Sequence, residues 1–156
     1  MKFLQAIFKN TIISFIICIA LSSCGEKTSE EALETKKILD KLNTKIEVGI
    51  TQNEYRNVLA DIKYYYKQIE NEKEKEAFEK LIKVHEIAYD FWEECHAPTH
   101  PYNCWNSSPG MKLVLVSYPE IQSKSDEYTK HGSWHTDSVI KELWTIAALE
   151  LEKIEL

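Results

Sequence analysis

The stretch that decides the fold is Val-Gly-Ile-Thr-Gln-Asn-Glu-Tyr, residues 48–55. Gly49 suits the left-handed backbone position just past a helix end. Thr51 can cap a following helix, and Glu54, three residues later, can complete a capping box. Ile50 and Tyr55 occupy the positions of a hydrophobic staple across that cap. We therefore predict a tight turn between two helices at this point.

Three apolar stripes at three-to-four-residue spacing surround this turn and predict long helices. The first covers residues 29–48, with Ala32, Leu33, Ile38, Leu39, Leu42 and Ile46. The second carries Tyr55, Val58, Leu59, Ile62, Tyr66 and Ile69. The third carries Phe78, Leu81, Ile82, His85, Ala88, Tyr89 and Trp92. The phase of the stripe slips near Asn71, so we predict a break there rather than one continuous helix.

Residues 97–110 read as a loop, because three of the four prolines in the chain fall between Pro98 and Pro109. Ser108 before Pro109 fits a helix start, so residues 111–117 are predicted as a short helix, with a strand as the alternative. Thr136 or Asp137 can cap a final helix, with six apolar residues facing inward: Ile140, Leu143, Trp144, Ala147, Leu151 and Ile154. The conformation of residues 97–136 as a whole stays open.

The fold class follows from these elements. Four amphipathic helices joined by short turns and one longer loop predict an all-α domain. The expected architecture is an antiparallel four-helix bundle with a proline-rich loop between the third and the last long helices.

The N-terminus joins a basic start to a short apolar run. The uninterrupted run, residues 12–21, is about half as long as the roughly 20 residues that a spanning helix needs. It ends in the segment Leu21-Ser22-Ser23-Cys24. This segment resembles the signal peptide and lipobox of bacterial lipoproteins. The resemblance implies cleavage after Ser23, a diacylglyceryl group on the thiol of Cys24, and acylation of the new N-terminus.

The same resemblance implies a location in the cell envelope. Gly25, rather than aspartate, follows Cys24, so in a Gram-negative cell the expected place is the outer membrane, facing the periplasm. Ordinary secretion with cleavage after residue 22 and a retained anchor are the alternatives. The expected domain organisation is a signal peptide over 1–23, a lipidated N-terminus and short tether over 24–28, and one helical domain over 29–156.

The charge of the mature chain excludes some partners. The chain has 19 basic and 25 acidic residues, and Lys2 and Lys9 leave with the signal peptide. The mature formal charge is therefore 17 minus 25, or −8. Such a chain is repelled by phosphate backbones and by anionic lipid surfaces. We expect no binding of nucleic acid, and we expect lipid alone to hold the protein to the membrane.

The four cysteines have different expected roles. Cys18 leaves with the signal peptide and Cys24 takes lipid, so Cys95 and Cys104 remain. Outside the cytoplasm such a pair usually oxidises, and we predict a disulfide between them. Free structural thiols and metal ligation are the alternatives.

Histidines near these cysteines support a metal-binding alternative. His96 and His100 lie within the loop region, and His131 and His135 follow at helical spacing. Zn or Cu could be held by these four side chains if the loop folds over the last helix. The spacing matches no standard zinc finger or ribbon. His85 lies in an apolar stripe instead, and is predicted to be a hydrogen-bonded core residue.

The sequence does not indicate an enzyme. It has no glycine-rich phosphate loop and no nucleophile-elbow motif. Aromatic residues suited to protein contacts are available at Tyr64, Tyr65, Tyr66, Tyr102, Trp105 and Trp134. The favoured hypothesis is a lipid-anchored envelope protein that binds a protein partner. The alternatives are a periplasmic metal-binding protein and an inhibitor or immunity-type protein that covers a basic partner.

Overall fold

The computed structural model describes residues 28–96, 103–130 and 132–156, and Cys24 lies outside them. Most of this part is helical, which confirms the all-α prediction at the level of fold class. The elements in chain order are α1 (Glu30–Val48), α2 (Gln52–Gln68), α3 (Glu72–Cys95), β1 (Asn103–Trp105), α4 (Pro109–Ser117), α5 (Pro119–Ser123), α6 (Ser125–Tyr128), β2 (Thr129–Lys130), β3 (Ser133–His135) and α7 (Thr136–Leu151).

The turn between α1 and α2 has the predicted form. Gly49 has a φ of 101°, which a residue with a side chain adopts only with strain. The Glu54 amide donates to Thr51 Oγ1 at 3.3 Å, and the Thr51 amide donates to Glu54 Oε2 at 3.1 Å. This reciprocal capping box is confirmed, and α1 and α2 contact each other beyond it.

The predicted break between α2 and α3 is also confirmed. Asn71 caps α3, because its Oδ1 accepts hydrogen bonds from the amides of Lys73 at 3.0 Å and Glu74 at 3.4 Å. Ile69, just past the end of α2, is buried and fixes this turn to the core.

The start of α1 is attached to α3. Ser29 caps α1 by accepting from the Ala32 amide at 3.2 Å. Its own amide donates to Glu74 Oε1 at 3.0 Å, and its hydroxyl donates to Glu74 Oε2 at 2.5 Å. Both oxygens of one carboxylate on α3 therefore bind the residue that begins α1. We call this pair of contacts the Ser29–Glu74 clamp.

Helix α3 lies at the centre of the helical packing. It contacts α2, α4 and α7, while α1 contacts α2 and α7. Helix α3 therefore buries more of its surface than the single apolar stripe that was predicted. Its additional buried residues are Val84, Ile87 and Phe91. Leu33 of the first predicted stripe is 52% exposed, so its place in the core was predicted wrongly.

The region before α7 contains a small sheet that the sequence did not indicate. Strand β3 lies in the middle and pairs antiparallel with both β1 and β2. Helix α4 begins at Pro109 with Ser108 as its cap, so the helix rather than the alternative strand is present. The expected cap of the last helix was wrong, because Thr136 is already its first residue. The Thr136 hydroxyl instead donates to the carbonyl oxygen of Cys95 at 3.3 Å.

Candidate functional site

A surface groove with a volume of about 740 Å³ lies between α2 and α3. We call it the α2–α3 groove. Its lining residues come from the two helices and from the residue after α4: Lys63, Tyr66, Lys67, Glu76, Glu79, Lys80, Ile82, Lys83, Glu86 and Tyr118. The groove is formed because α2 and α3 pack through Leu59, Ile62 and Ile82 and leave their long polar side chains standing on both sides.

Four lysines lie in this groove, although the protein as a whole is acidic. Lys63 Nζ lies 2.6 Å from Glu86 Oε1, and Lys83 Nζ lies 3.8 Å from Glu86 Oε2. One carboxylate is thus shared by two ammonium groups, and a formal positive charge remains. The side chain of Lys83 is 61% exposed, so this charge is available to an incoming acidic group.

A second shared carboxylate lies beside the groove. Glu150 of α7 accepts from Lys80 and from Lys153, each at 2.8 Å. Hydrogen bonds from Lys153 and Lys80 lower the pKa of Glu150 below its ordinary value. The Lys80 side chain is 67% exposed, and exposed pairs of this kind contribute little to stability. These pairs matter mainly because they determine which charges a binding partner contacts.

Two tyrosines form part of the groove wall. Burial raises the pKa of Tyr66, and the negative charge of Glu79 raises it further. Burial, followed by the charges of Glu120 and Glu150, raises the pKa of Tyr118 to about 12. Both phenols are therefore protonated at neutral pH and can donate. Within the described residues neither hydroxyl has a hydrogen-bond partner.

An aromatic cluster centred on the buried Tyr55 joins α2, α3 and α7. The ring of Tyr55 contacts those of His85, Tyr89, Trp92 and Trp144, with ring centres 5.8–6.4 Å apart. Burial raises the pKa of Tyr55 and lowers that of His85 to about 4. His85 is a buried, hydrogen-bonded core residue, as predicted, and it does not face the groove.

The predicted disulfide is present between Cys95 and Cys104, with their Cα atoms 5.1 Å apart. It joins the end of α3 to β1. Ser108, the cap of α4, lies against Cys104 with Oγ 2.8 Å from the sulfur. The cystine therefore belongs to the junction of α3, β1 and α4 and takes no part in the groove.

The four histidines of the metal alternative are only partly described. His96 follows the last residue of α3 and is exposed, and His135 lies in β3 and is half-buried. His100 and His131 lie outside the described residues, as does Cys24. Among the residues that the structure places, no three His, Cys, Asp or Glu side chains form a group that could hold a metal ion.

The aromatic residues expected at a contact surface differ in exposure, and Tyr65 and Tyr66 are half-buried. Tyr64 and Trp105 are exposed, at 62% and 51%. Trp134 is buried instead, and its indole N–H donates to Asn106 Oδ1, so its expected surface position was wrong. Tyr102 lies outside the described residues.

The lysine cluster was missed by the sequence analysis. The run of charged residues from 70 to 79 was interpreted as an ordinary solvated face, and the lysines of α2 were not compared with those of α3. The signal that could have found it is the pair Lys63 and Lys67 on one turn of α2, facing Lys80 and Lys83 on α3. Only the antiparallel packing of the two helices brings these pairs together.

No helix in the described ranges combines the length and the apolar character needed to cross a membrane. Comparison with known proteins finds no family model that matches the chain, no similar curated protein and no similar solved structure.

Proposed function

We propose that the mature protein is lipid-anchored in the cell envelope through Cys24 and acts as a non-enzymatic binding module. The α2–α3 groove is its binding surface in this proposal. The partner is a protein segment that offers carboxylates to the lysines and an apolar or aromatic side chain to the wall between them. In a Gram-negative cell the module would stand on the outer membrane and face the periplasm.

The observation that carries the proposal is the composition of the groove. It has four lysines against three glutamates, so its lining carries a formal charge of +1 on a chain whose mature charge is −8. Ile82 and Tyr118 provide an apolar floor, and both are at least nine-tenths buried. The hydroxyls of Tyr66 and of Tyr118 itself have no hydrogen-bond partner in the described residues and add two donors. An apolar floor with a few convergent polar groups is typical of a binding site.

The support for the location is the resemblance of residues 21–24 to a lipobox. Two or three acyl chains hold a protein stably, whereas one holds it only marginally. A processed Cys24 would therefore be a permanent anchor.

The finer architecture is part of the same proposal. The long helices contact one another in a ring, α1 with α2, α2 with α3, α3 with α7, and α7 with α1. Such a ring is the contact pattern of a four-helix bundle, and the tight turns on both sides of α2 favour antiparallel neighbours.

The test uses a photo-crosslinking amino acid in the groove. Tyr66 is replaced by benzoylphenylalanine in the full chain, and the protein is irradiated in its native cells. We expect one predominant crosslinked protein, identified by mass spectrometry. The same substitution at Val48, which is 80% exposed at the far end of α1, serves as the positional control and should not capture it.

Two charge variants then test the role of the lysines. Lys67→Glu with Lys83→Glu changes the groove, while Lys41→Glu with Lys112→Glu makes the same change of formal charge on exposed residues elsewhere. We expect the crosslink to be lost in the first variant and retained in the second. Equal yields from both variants would show that the groove does not bind the partner.

An inhibitor or immunity-type role is a second candidate, favoured by the formal charge of −8 on the mature chain. Here a basic partner would bind acidic surfaces, and its affinity would fall steeply with salt. The charge variants separate the two candidates, because both raise the negative charge equally and would both strengthen such binding. The metal-binding alternative uses His96, His100, His131 and His135, and bound Zn or Cu in the native mass spectrum would support it.

A further inference from the structure

The distance between the lipid site and the folded body is short. Five residue steps separate Cys24 from Ser29, and a fully extended chain covers at most about 3.6 Å per step, or about 18 Å in total. This inference rests on the proposed lipidation of Cys24. Given that lipidation, the residue that begins α1 stays within about 18 Å of the bilayer surface.

The Ser29–Glu74 clamp determines which end of the folded domain lies near the membrane. Because Glu74 lies in the first turn of α3, the clamp attaches the point where the tether arrives to two helices at once. The end of α2 lies at the same end of the protein, since a single short turn joins it to α3. The starts of α1 and α3 and the end of α2 therefore form the end nearest the membrane.

This end presents exposed aromatic and apolar side chains. Tyr64 is 62% exposed and Leu33 is 52% exposed. The rings of Tyr64 and Tyr65 pack edge to face at 5.2 Å, so the pair is a preformed unit. Tyrosine prefers the boundary between lipid and water, because its ring is apolar and its hydroxyl is polar.

Helices α1 and α2 form a shallow hollow at this end. Its volume is about 290 Å³, and it is lined by Glu30, Glu31, Glu34, Tyr64, Tyr65 and Gln68. Tyr64 is therefore next to three carboxylates of α1, and it shares a second hollow with Lys63 and Lys67. The ammonium and phosphate groups of a zwitterionic headgroup match these two sets of charges, whereas an anionic headgroup would be repelled by the three carboxylates.

We propose that this end, with Leu33 and Tyr64 as its contact residues, docks on a bilayer surface of zwitterionic lipid. The tether supplies the proximity, and the two side chains enter the headgroup region. The α2–α3 groove then begins at this end with Tyr66 and Lys67 and runs along the side of the body, so its part around Lys83 and Glu86 stays open to a partner.

The test is hydroxyl-radical footprinting of the lipidated protein, in which mass spectrometry measures how fast each native side chain is oxidised. The protein is reconstituted in vesicles of phosphatidylethanolamine and phosphatidylcholine. It is compared with a variant that carries ten inserted Gly and Ser residues after Glu26, which adds about 30 Å of reach. We expect oxidation of Leu33 and Tyr64 to be about threefold slower with the native tether, because side chains at the interface are shielded from water.

Val48 is the internal control for the same experiment. It is 80% exposed and lies at the other end of α1, about 22 Å from Leu33 at 1.5 Å per residue. Its oxidation should be the same with both tethers. Replacing phosphatidylcholine by anionic phosphatidylglycerol should remove the protection of Leu33 and Tyr64.

Several results would contradict the proposal that this end docks on the bilayer. Equal oxidation of Leu33 and Tyr64 with both tethers would do so, and so would protection of Val48 to the same degree. Protection that occurs in cells but not in pure vesicles would show that a protein covers this end instead of lipid.

The intact mass of the protein separates this proposal from the previous one. Absence of acyl chains on Cys24 would contradict the proposed anchoring. A maleimide lipid coupled to Cys24 then restores the tether, and the same footprints decide whether this end docks.

Discussion

The hydroxyl of Tyr55 lies 2.7 Å from Nδ1 of His85, and both side chains are buried. Burial holds the phenol in its protonated form, so the hydroxyl can donate to this nitrogen. The neutral imidazole accepts at Nδ1 in the tautomer that carries its proton on Nε2. This hydrogen bond joins α2 to α3 from inside the core.

The buried histidine predicts a loss of stability in mild acid. In the unfolded chain His85 takes up a proton near pH 6.5, whereas in the fold burial lowers its pKa to about 4. Between these values the unfolded state binds more protons, so stability is complete above pH 6.5 and falls as the pH falls toward 4. We expect the free energy of unfolding to drop by about 2 kcal/mol between pH 7 and pH 5. Urea unfolding at each pH measures it.

The control for this prediction is His85→Gln. Glutamine retains an acceptor for the phenol and does not titrate. The variant should be less stable than the native chain at pH 7, but its stability should change little between pH 7 and pH 5. A decline in the variant as steep as in the native chain would assign the pH effect to other groups.

Removal of the Tyr55 hydroxyl should destabilise the fold while leaving its shape intact. Tyr55→Phe leaves Nδ1 of His85 buried without a donor, and such a group costs about 1–3 kcal/mol. Tyr64→Phe removes an exposed hydroxyl and should change stability by less than about 0.5 kcal/mol. Denaturant unfolding of both variants gives the comparison, and equal stabilities would mean that the buried hydrogen bond contributes nothing.

The disulfide should stabilise the native chain by a modest amount. It closes a short loop, since Cys95 and Cys104 are nine residues apart. The chain-entropy relation gives roughly 2–3 kcal/mol for a loop of this size. We expect the exported protein to be lighter than its reduced form by the mass of two hydrogen atoms. Cys95→Ser with Cys104→Ser should lower the free energy of unfolding accordingly, and an unchanged mass on reduction would disprove the bond.

Gly110 and Gly49 should each resist a methyl group, for different reasons. A Cβ at position 110 would lie 2.6 Å from Glu94 Oε2 and 3.2 Å from Phe91 Cα, so the Glu94 carboxylate would have to turn away and α4 would have to shift slightly from α3. Gly110→Ala should cost about 1–3 kcal/mol, in the range of overpacked sites. Gly49→Ala meets no atom within 4 Å, and the backbone strain at φ 101° should cost about 1–3 kcal/mol. Thermal unfolding measures both, and an unchanged Tm of Gly110→Ala would contradict the close packing of α4 on α3.

The sequence predicted those parts of the fold whose signals are local. Thr51 with Glu54, Asn71, and Ser108 with Pro109 each place a cap within three or four residues, and each was found where the pattern indicated. Leu33 follows the same helical spacing as its neighbours but lies on the exposed side, because the direction of the stripe depends on which helices arrive to cover it.

The remaining features depend on contacts between distant segments. The sheet pairs Cys104 with Trp134, and no short pattern announces a pairing over such a separation. Thr136 looks like a helix cap in sequence, yet its hydroxyl is used by the carbonyl oxygen of Cys95. The lysines of the groove likewise become a cluster only after α2 and α3 have packed.

The contact of α1 with α7 has a consequence for how the chain folds during synthesis. Within the described residues these are the first and last long helices, so the part of α1 that α7 covers stays exposed until α7 has been synthesised. The hairpin of α1 and α2 can form early from its own capping signals, but it stays an open intermediate whose exposed core a chaperone or a protease can reach. Nascent chains stopped before α7 should therefore be degraded rapidly, whereas the completed chain resists proteolysis as a single cooperative unit.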